Sequence, residues 1–160
     1  MAREVLGMVV KTDEGAIVAG TLLEPILLTN YLLPVVVATP ETPANGATYY
    51  FGSLSGLLPQ TTSGLARIYV PRAGTIKTVD IWTRAATAGT AEPISIYLRL
   101  NDTSDTLVQT VESATNTRRF YSTDLSVAIV AGDFLEIKMV CPTWVTKPAS
   151  ISMGGHIYVE

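Results

Sequence analysis

The 160-residue chain has one cysteine, Cys141, and one histidine, His156. A single thiol excludes an internal disulfide framework and cannot by itself build a metal cluster. Cys141 falls in a strand-like run, where a free cysteine is usually buried and inert. A lone imidazole excludes a multi-histidine metal site or a two-histidine acid/base pair. Charge is scarce too: charged residues make up 16%, the net charge is −3, and no basic run exceeds Arg118–Arg119. A nucleic-acid binder needs a basic stripe or patch, so that partner class is excluded. A hydrophobic content of 48% excludes a disordered chain. Little charge and a positive mean hydropathy together point to apolar surface covered by other subunits.

The chemistry-bearing motifs are equally thin. There is no glycine-rich phosphate loop, no CxxC pair and no HExxH helix. The segment "GSLSG" (Gly52–Gly56) is not a hydrolase elbow, because its central residue is Leu54 rather than serine. A Ser-His-Asp triad would have to use His156, and nothing in the sequence selects its partners. The acidic residues are scattered, with no pair placed for glycoside hydrolysis. The expectation is a protein that is not an enzyme and has no cofactor. "NDTSD" gathers Asn101, Asp102 and Asp105, oxygen donors that suit either Ca²⁺ or a tight turn. EF-type spacing and a distal glutamate are lacking, which favours the turn and no metal. Asn101-Asp102-Thr103 is also a glycosylation sequon, discounted because "MAREVLGMVVKTDEG" has no signal-peptide pattern.

One long apolar run needs a decision. "AIVAGTLLEPILLTNYLLPVVVA" (Ala16–Ala38) is long enough to span a bilayer, yet it contains Glu24, Pro25, Asn30 and Pro34. Proline breaks a helix, and a mid-span glutamate costs about 2 kcal/mol or more in lipid. The reading is no membrane span, but an extended arm packed on protein. Leu22, Leu23, Ile26, Leu27, Tyr31 and Leu32 are its docking side chains. The arm ends in "ATPETPANGA", whose prolines and Asn-Gly pair mark a boundary, giving an arm and linker over 1–46 and a domain over 47–160.

Past that boundary the text becomes short alternating strands separated by turn residues. Eight are predicted, starting at Thr48, Ala66, Thr75, Pro93, Asp105, Arg118, Asp133 and Ser150. In "ISIYLRL", Ile94, Ile96, Leu98 and Leu100 share one face and Ser95, Tyr97 and Arg99 the other. "FLEIKMVC" sets Leu135, Ile137, Met139 and Cys141 against Phe134, Glu136, Lys138 and Val140. In the final strand Ile151, Met153, Ile157 and Val159 oppose Ser150, Ser152, His156 and Tyr158. One apolar and one mixed face per strand predicts an all-β, antiparallel two-sheet sandwich, and about eight strands in this order suggest a jelly roll.

Three motifs carry a family resemblance: "PRAGTI" (Pro71–Ile76), "IVAGDFLEI" (Ile129–Ile137) and "GHIYVE" (Gly155–Glu160). Over residues 47–160 the chain resembles trimeric jelly-roll domains of the TNF/C1q-like type, and more closely their relatives among tailed-phage virion proteins. The resemblance implies a homotrimer whose final strand lies beside the first, near the three-fold axis. Tyr49, Tyr97, His156 and Tyr158 would then be subunit contacts, an aromatic role well suited to interfaces. It further implies a virion-surface structural protein of capsid-decoration or head-fibre type, with the major capsid protein as partner. The alternative is a receptor-binding head on a tail fibre or baseplate. Its loops at Asn101, Asp102, Asp105 and Trp144 would contact host surface glycan or protein. Trp144, in "CPTWVTKP", suits either a ligand contact or a plug at the sandwich end. A secreted C1q-like ligand, a third reading, is disfavoured by the missing signal peptide.

Overall fold

The computed structural model describes residues 30–52, 60–112 and 116–160, with the side chains of residues 36–41 left aside. Leu22, Leu23, Ile26, Leu27 and most of "GSLSG" lie outside the described residues. Among the described residues there is no helix, and so none long and apolar enough to cross a membrane. The strands are β1 (Tyr31–Glu41), β2 (Thr48–Phe51), β3 (Ile68–Tyr69), β4 (Gly74–Thr87) and β5 (Pro93–Leu100). They continue with β6 (Ser104–Glu112), β7 (Thr117–Ser122), β8 (Val127–Ile129), β9 (Phe134–Val140) and β10 (Ala149–Val159).

These strands form two antiparallel sheets packed face to face, an all-β sandwich. One sheet has the order β1-β10-β4-β7, with β8 also on β4; the other has the order β2-β9-β5-β6, with β3 on β9. The alternation read from sequence decides which side chains meet in the core. Ile94, Ile96, Leu98, Leu135, Ile137 and Met139 from one sheet face Ile76, Val79, Ile81, Phe120, Met153 and Ile157 from the other. All twelve are buried, and each such apolar side chain contributes about 1.5–3 kcal/mol relative to exposure.

Two departures from the predicted strands have clear causes. The expected single strand from Arg118 divides into β7 and β8, both paired to β4. Between them Leu125 turns into the core, and its amide donates to the Lys77 carbonyl. The second departure is β1, which begins inside the segment read as an arm and pairs with β10 from Tyr31↔Val159 onward. Leu33 and Val35 are buried in the core, so this stretch is apolar because it is part of the sandwich. β10 is therefore covered on both edges within one chain, by β1 and by β4.

The turns follow their residues. Asn101 and Asp102 have φ of 50° and 58°, and the Thr103 amide donates to the Leu100 carbonyl, which is the type I′ hairpin geometry. Asn101 also receives the Phe134 amide and donates to Asp133, tying the hairpin to β9. In "AGD", Gly132 takes φ of 93° while Asp133 accepts the Val130 amide.

Candidate functional site

The outward face of the β1-β10-β4-β7 sheet carries exposed aromatic and apolar side chains. Trp82 from β4, Tyr121 from β7 and Leu32 from β1 are 50%, 48% and 59% exposed. Pairing sets Leu32 and Trp82 beside outward residues of β10, while Tyr121 is in register with Asp80 of β4. Tyr158 is in register with Leu32, His156 with both Pro34 and Asp80, and Gly154 with Trp82. The half-buried Tyr158 hydroxyl accepts a hydrogen bond from the Asn30 amide. His156 is exposed.

Charge at the centre of this face is balanced internally. Arg119 grips Asp80 through two parallel bonds, Nε to Oδ1 at 2.8 Å and Nη2 to Oδ2 at 2.7 Å, and lies over the Tyr121 ring at 4.7 Å. Arg119, chiefly through its hydrogen bonds, holds the Asp80 carboxyl below the usual carboxylate range. The result is an aromatic surface around one ion pair, with Arg84 also exposed on the same face.

The opposite outer face, on the β2-β9-β5-β6 sheet, is built differently. Lys138 and Arg99 both bond Asp105, at 2.6 Å each, and Arg67 bonds Asp102 at 2.8 Å. Each cation also covers a ring: Lys138 lies over Tyr97, Arg99 over Tyr50 and Arg67 over Phe134. The Ser63 hydroxyl lies 2.5 Å from Asp102 and 2.9 Å from Glu136 and donates to one at a time, while the Gly64 and Ala66 amides donate to Glu136 at 2.8 and 3.2 Å. Glu136 is only 1% exposed, although alternation puts it on the mixed face; the strap at residues 63–66 covers it. Sequence pattern could not find this, because the covering segment is distant along the chain.

The sequence-selected residues separate. His156 and Tyr158 share the aromatic face, and Leu32 stands beside Tyr158. Tyr31 packs against the core margin, with its hydroxyl donating to the Arg72 carbonyl. Tyr97 lies on the opposite sheet. Tyr49 is buried in the core, its hydroxyl accepting the Ala44 amide, which removes its expected role as an exposed aromatic contact. Trp144 is likewise corrected: it is 3% exposed and plugs the sandwich end, backed by Asn45, rather than facing a ligand. Asn101, Asp102 and Asp105 are engaged in the turn and the ion pairs, and no acidic, histidine or cysteine cluster among the described residues is arranged for a metal. Cys141 is buried, which pushes its thiol up to about 12. Sequence reasoning missed Trp82, Tyr121, Asp80 and Arg119. The signal was present in "DIWTR", where Trp82 alternates with Ile81 and Thr83 and so points away from the core.

Fold and site together define an all-β sandwich protein with an exposed aromatic sheet face. The chain matches no family model and no curated protein.

Proposed function

We propose that this protein is a non-enzymatic structural protein of a tailed-phage virion surface. It assembles as a homotrimeric jelly roll of capsid-decoration or head-fibre type. The observation that carries the assembly is the face bearing Trp82, Tyr121, Leu32 and Tyr158. Rings held on rigid strands bury large area with little loss of rotamer freedom, which is how interface anchors work. Strand order supports the jelly-roll reading. With β2/β3 and β7/β8 each counted once, the sheets run first-eighth-third-sixth and second-seventh-fourth-fifth, the order of two interleaved Greek keys. The threefold, the virion setting and the capsid partner come from the resemblance to TNF/C1q-like phage domains. In this reading β10 lies at the centre of the buried sheet, and residues 1–29 are the part left to dock on the particle. The receptor-binding alternative has fewer exposed groups to rest on, because Trp144 is buried.

Light scattering on the full chain tests the assembly. The expected mass is three times 17.1 kDa at micromolar concentration. A 17.1 kDa species at that concentration would refute it.

A further inference from the structure

Asn45-Gly46, the only Asn-Gly pair in the sequence, forms the turn between β1 and β2. The Ala47 amide donates to the Ala44 carbonyl and Gly46 takes φ of 66°, so glycine fills the third position of a type II turn. Both residues are exposed. Such a pair carries its own reaction, because a glycine nitrogen without a neighbouring side chain is free to attack the asparagine side-chain carbonyl. In the folded protein both reacting groups are held, and by one loop, the one joining β9 to β10. The Gly46 amide donates to the Pro142 carbonyl at 3.0 Å. Asn45 meets both backbone groups of Trp144: Oδ1 accepts its amide at 3.3 Å, and Nδ2 donates to its carbonyl at 3.4 Å. That contact needs one acceptor and one donor on the same planar group, which a side-chain amide has and a carboxylate lacks. What it secures is the 3%-exposed Trp144, the plug at the sandwich end.

We propose that Asn45 is a modification site, a latch that deamidates when the β9–β10 loop opens and cannot then be refastened. With the loop open, the Gly46 nitrogen bonds to the Asn45 side-chain carbon. Its proton passes through water to the amide nitrogen, the carbon–nitrogen bond of that amide breaks, and ammonia leaves. Water then opens the five-membered ring at one of its two carbonyls, giving aspartate or isoaspartate. No oxidant, reductant or further reactant enters. Aspartate offers Trp144 only acceptor oxygens, so its carboxylate takes the amide but sets oxygen against the carbonyl. Isoaspartate adds a methylene to the main chain and carries the carboxylate out of place. A reversible local opening is thereby converted into a permanent loosening of the plug. The latch works within one chain and operates in a monomer and in an assembly alike.

The test incubates the full chain at neutral pH, folded and in guanidinium chloride, and follows Asn45 by peptide mass mapping and by the added negative charge on ion exchange. Expected is conversion slower by about tenfold or more in the folded protein, since reaction requires the opened population. Trp144→Ala removes the plug but no atom of the clamp, and should bring the folded rate to within about threefold of the denatured one. The product is made directly as Asn45→Asp in a Trp82→Phe background, which leaves Trp144 the only tryptophan. Acrylamide should quench that variant more strongly than its Asn45 parent while circular dichroism shows both folded. Equal rates in the folded and denatured chain, or a Trp144→Ala rate like that of wild type, overturn the gating. Quenching unchanged by Asn45→Asp overturns the latch. If Trp144→Ala does not fold, the folded-against-denatured comparison and the quenching of Asn45→Asp decide between them.

Discussion

A glutamate alternating with Leu135 and Ile137 along β9 is expected to point away from the core, and Glu136 does. Pointing away from the core does not bring it to water here, because the strap at residues 63–66 closes over it. Its Oε1 accepts two backbone amides and its Oε2 meets the Ser63 hydroxyl. Buried amides left without an acceptor cost about 1–3 kcal/mol each. Glu136→Ala would orphan those of Gly64 and Ala66 and leave a void. It should therefore destabilise the fold by about 3 kcal/mol, read as a lower urea midpoint with an unchanged slope. Glu136→Gln keeps a carbonyl for the amides and should recover more than half of that loss. Equal stability of the alanine variant and the wild type would mean the strap is not held by this side chain.

At the scale of elements, β1 has the most to test. It covers one edge of β10, and Leu33 and Val35 lie in the core. Pro34 can sit in such a strand only where no ladder bond needs its missing amide, so its nitrogen faces away from β10. Removing residues 1–29 leaves β1 whole and gives the reference. Removing residues 1–46 strips β1 and should cost about 4 kcal/mol from the two buried side chains alone. Chemical denaturation of the two truncations compares them directly; equal stability would place β1 outside the cooperative fold. The sequence does not separate β1 from an arm, for a physical reason: "YLLPVVVA" has no alternation, so its period cannot tell a strand from a greasy linker. Where alternation was strict, as in "ISIYLRL" and in β10, strand, face and burial were all legible. The outward positions of His156 and Tyr158 were legible for the same reason. Which outward residues become neighbours was not, because that depends on strand order. Trp82 meets Gly154, and Tyr97 parts from Tyr158, only once β4 has been placed beside β10 and β5 beside β9.

For the whole molecule, the acidic side chains set how stability responds to pH. Asp80 is held below the usual carboxylate range by Arg119, and Asp102 by the Ser63 hydroxyl and then Arg67. Burial pushes Asp105 upward, but Lys138 and Arg99 together bring it below that range. A carboxyl whose folded-state pKa is depressed stabilises the fold fully above its unfolded value. That contribution fades as pH falls through the folded value, because the unfolded chain takes up protons first. The unfolded aspartate value is about 3.9, so these groups contribute a flat limb above about pH 5 and a decline below about pH 4. Asp105→Asn should lower the plateau and flatten that decline. Exposure of these pairs to solvent keeps the plateau change modest and makes it shrink with added salt. On the proposed assembly, protonating Asp80 leaves Arg119 uncompensated on the aromatic face, beside the exposed Arg84 and His156. Light scattering at falling pH should therefore record dissociation no later than circular dichroism records unfolding. An oligomer that outlasts the fall of Asp80's charge would move the contact away from Trp82 and its ion pair.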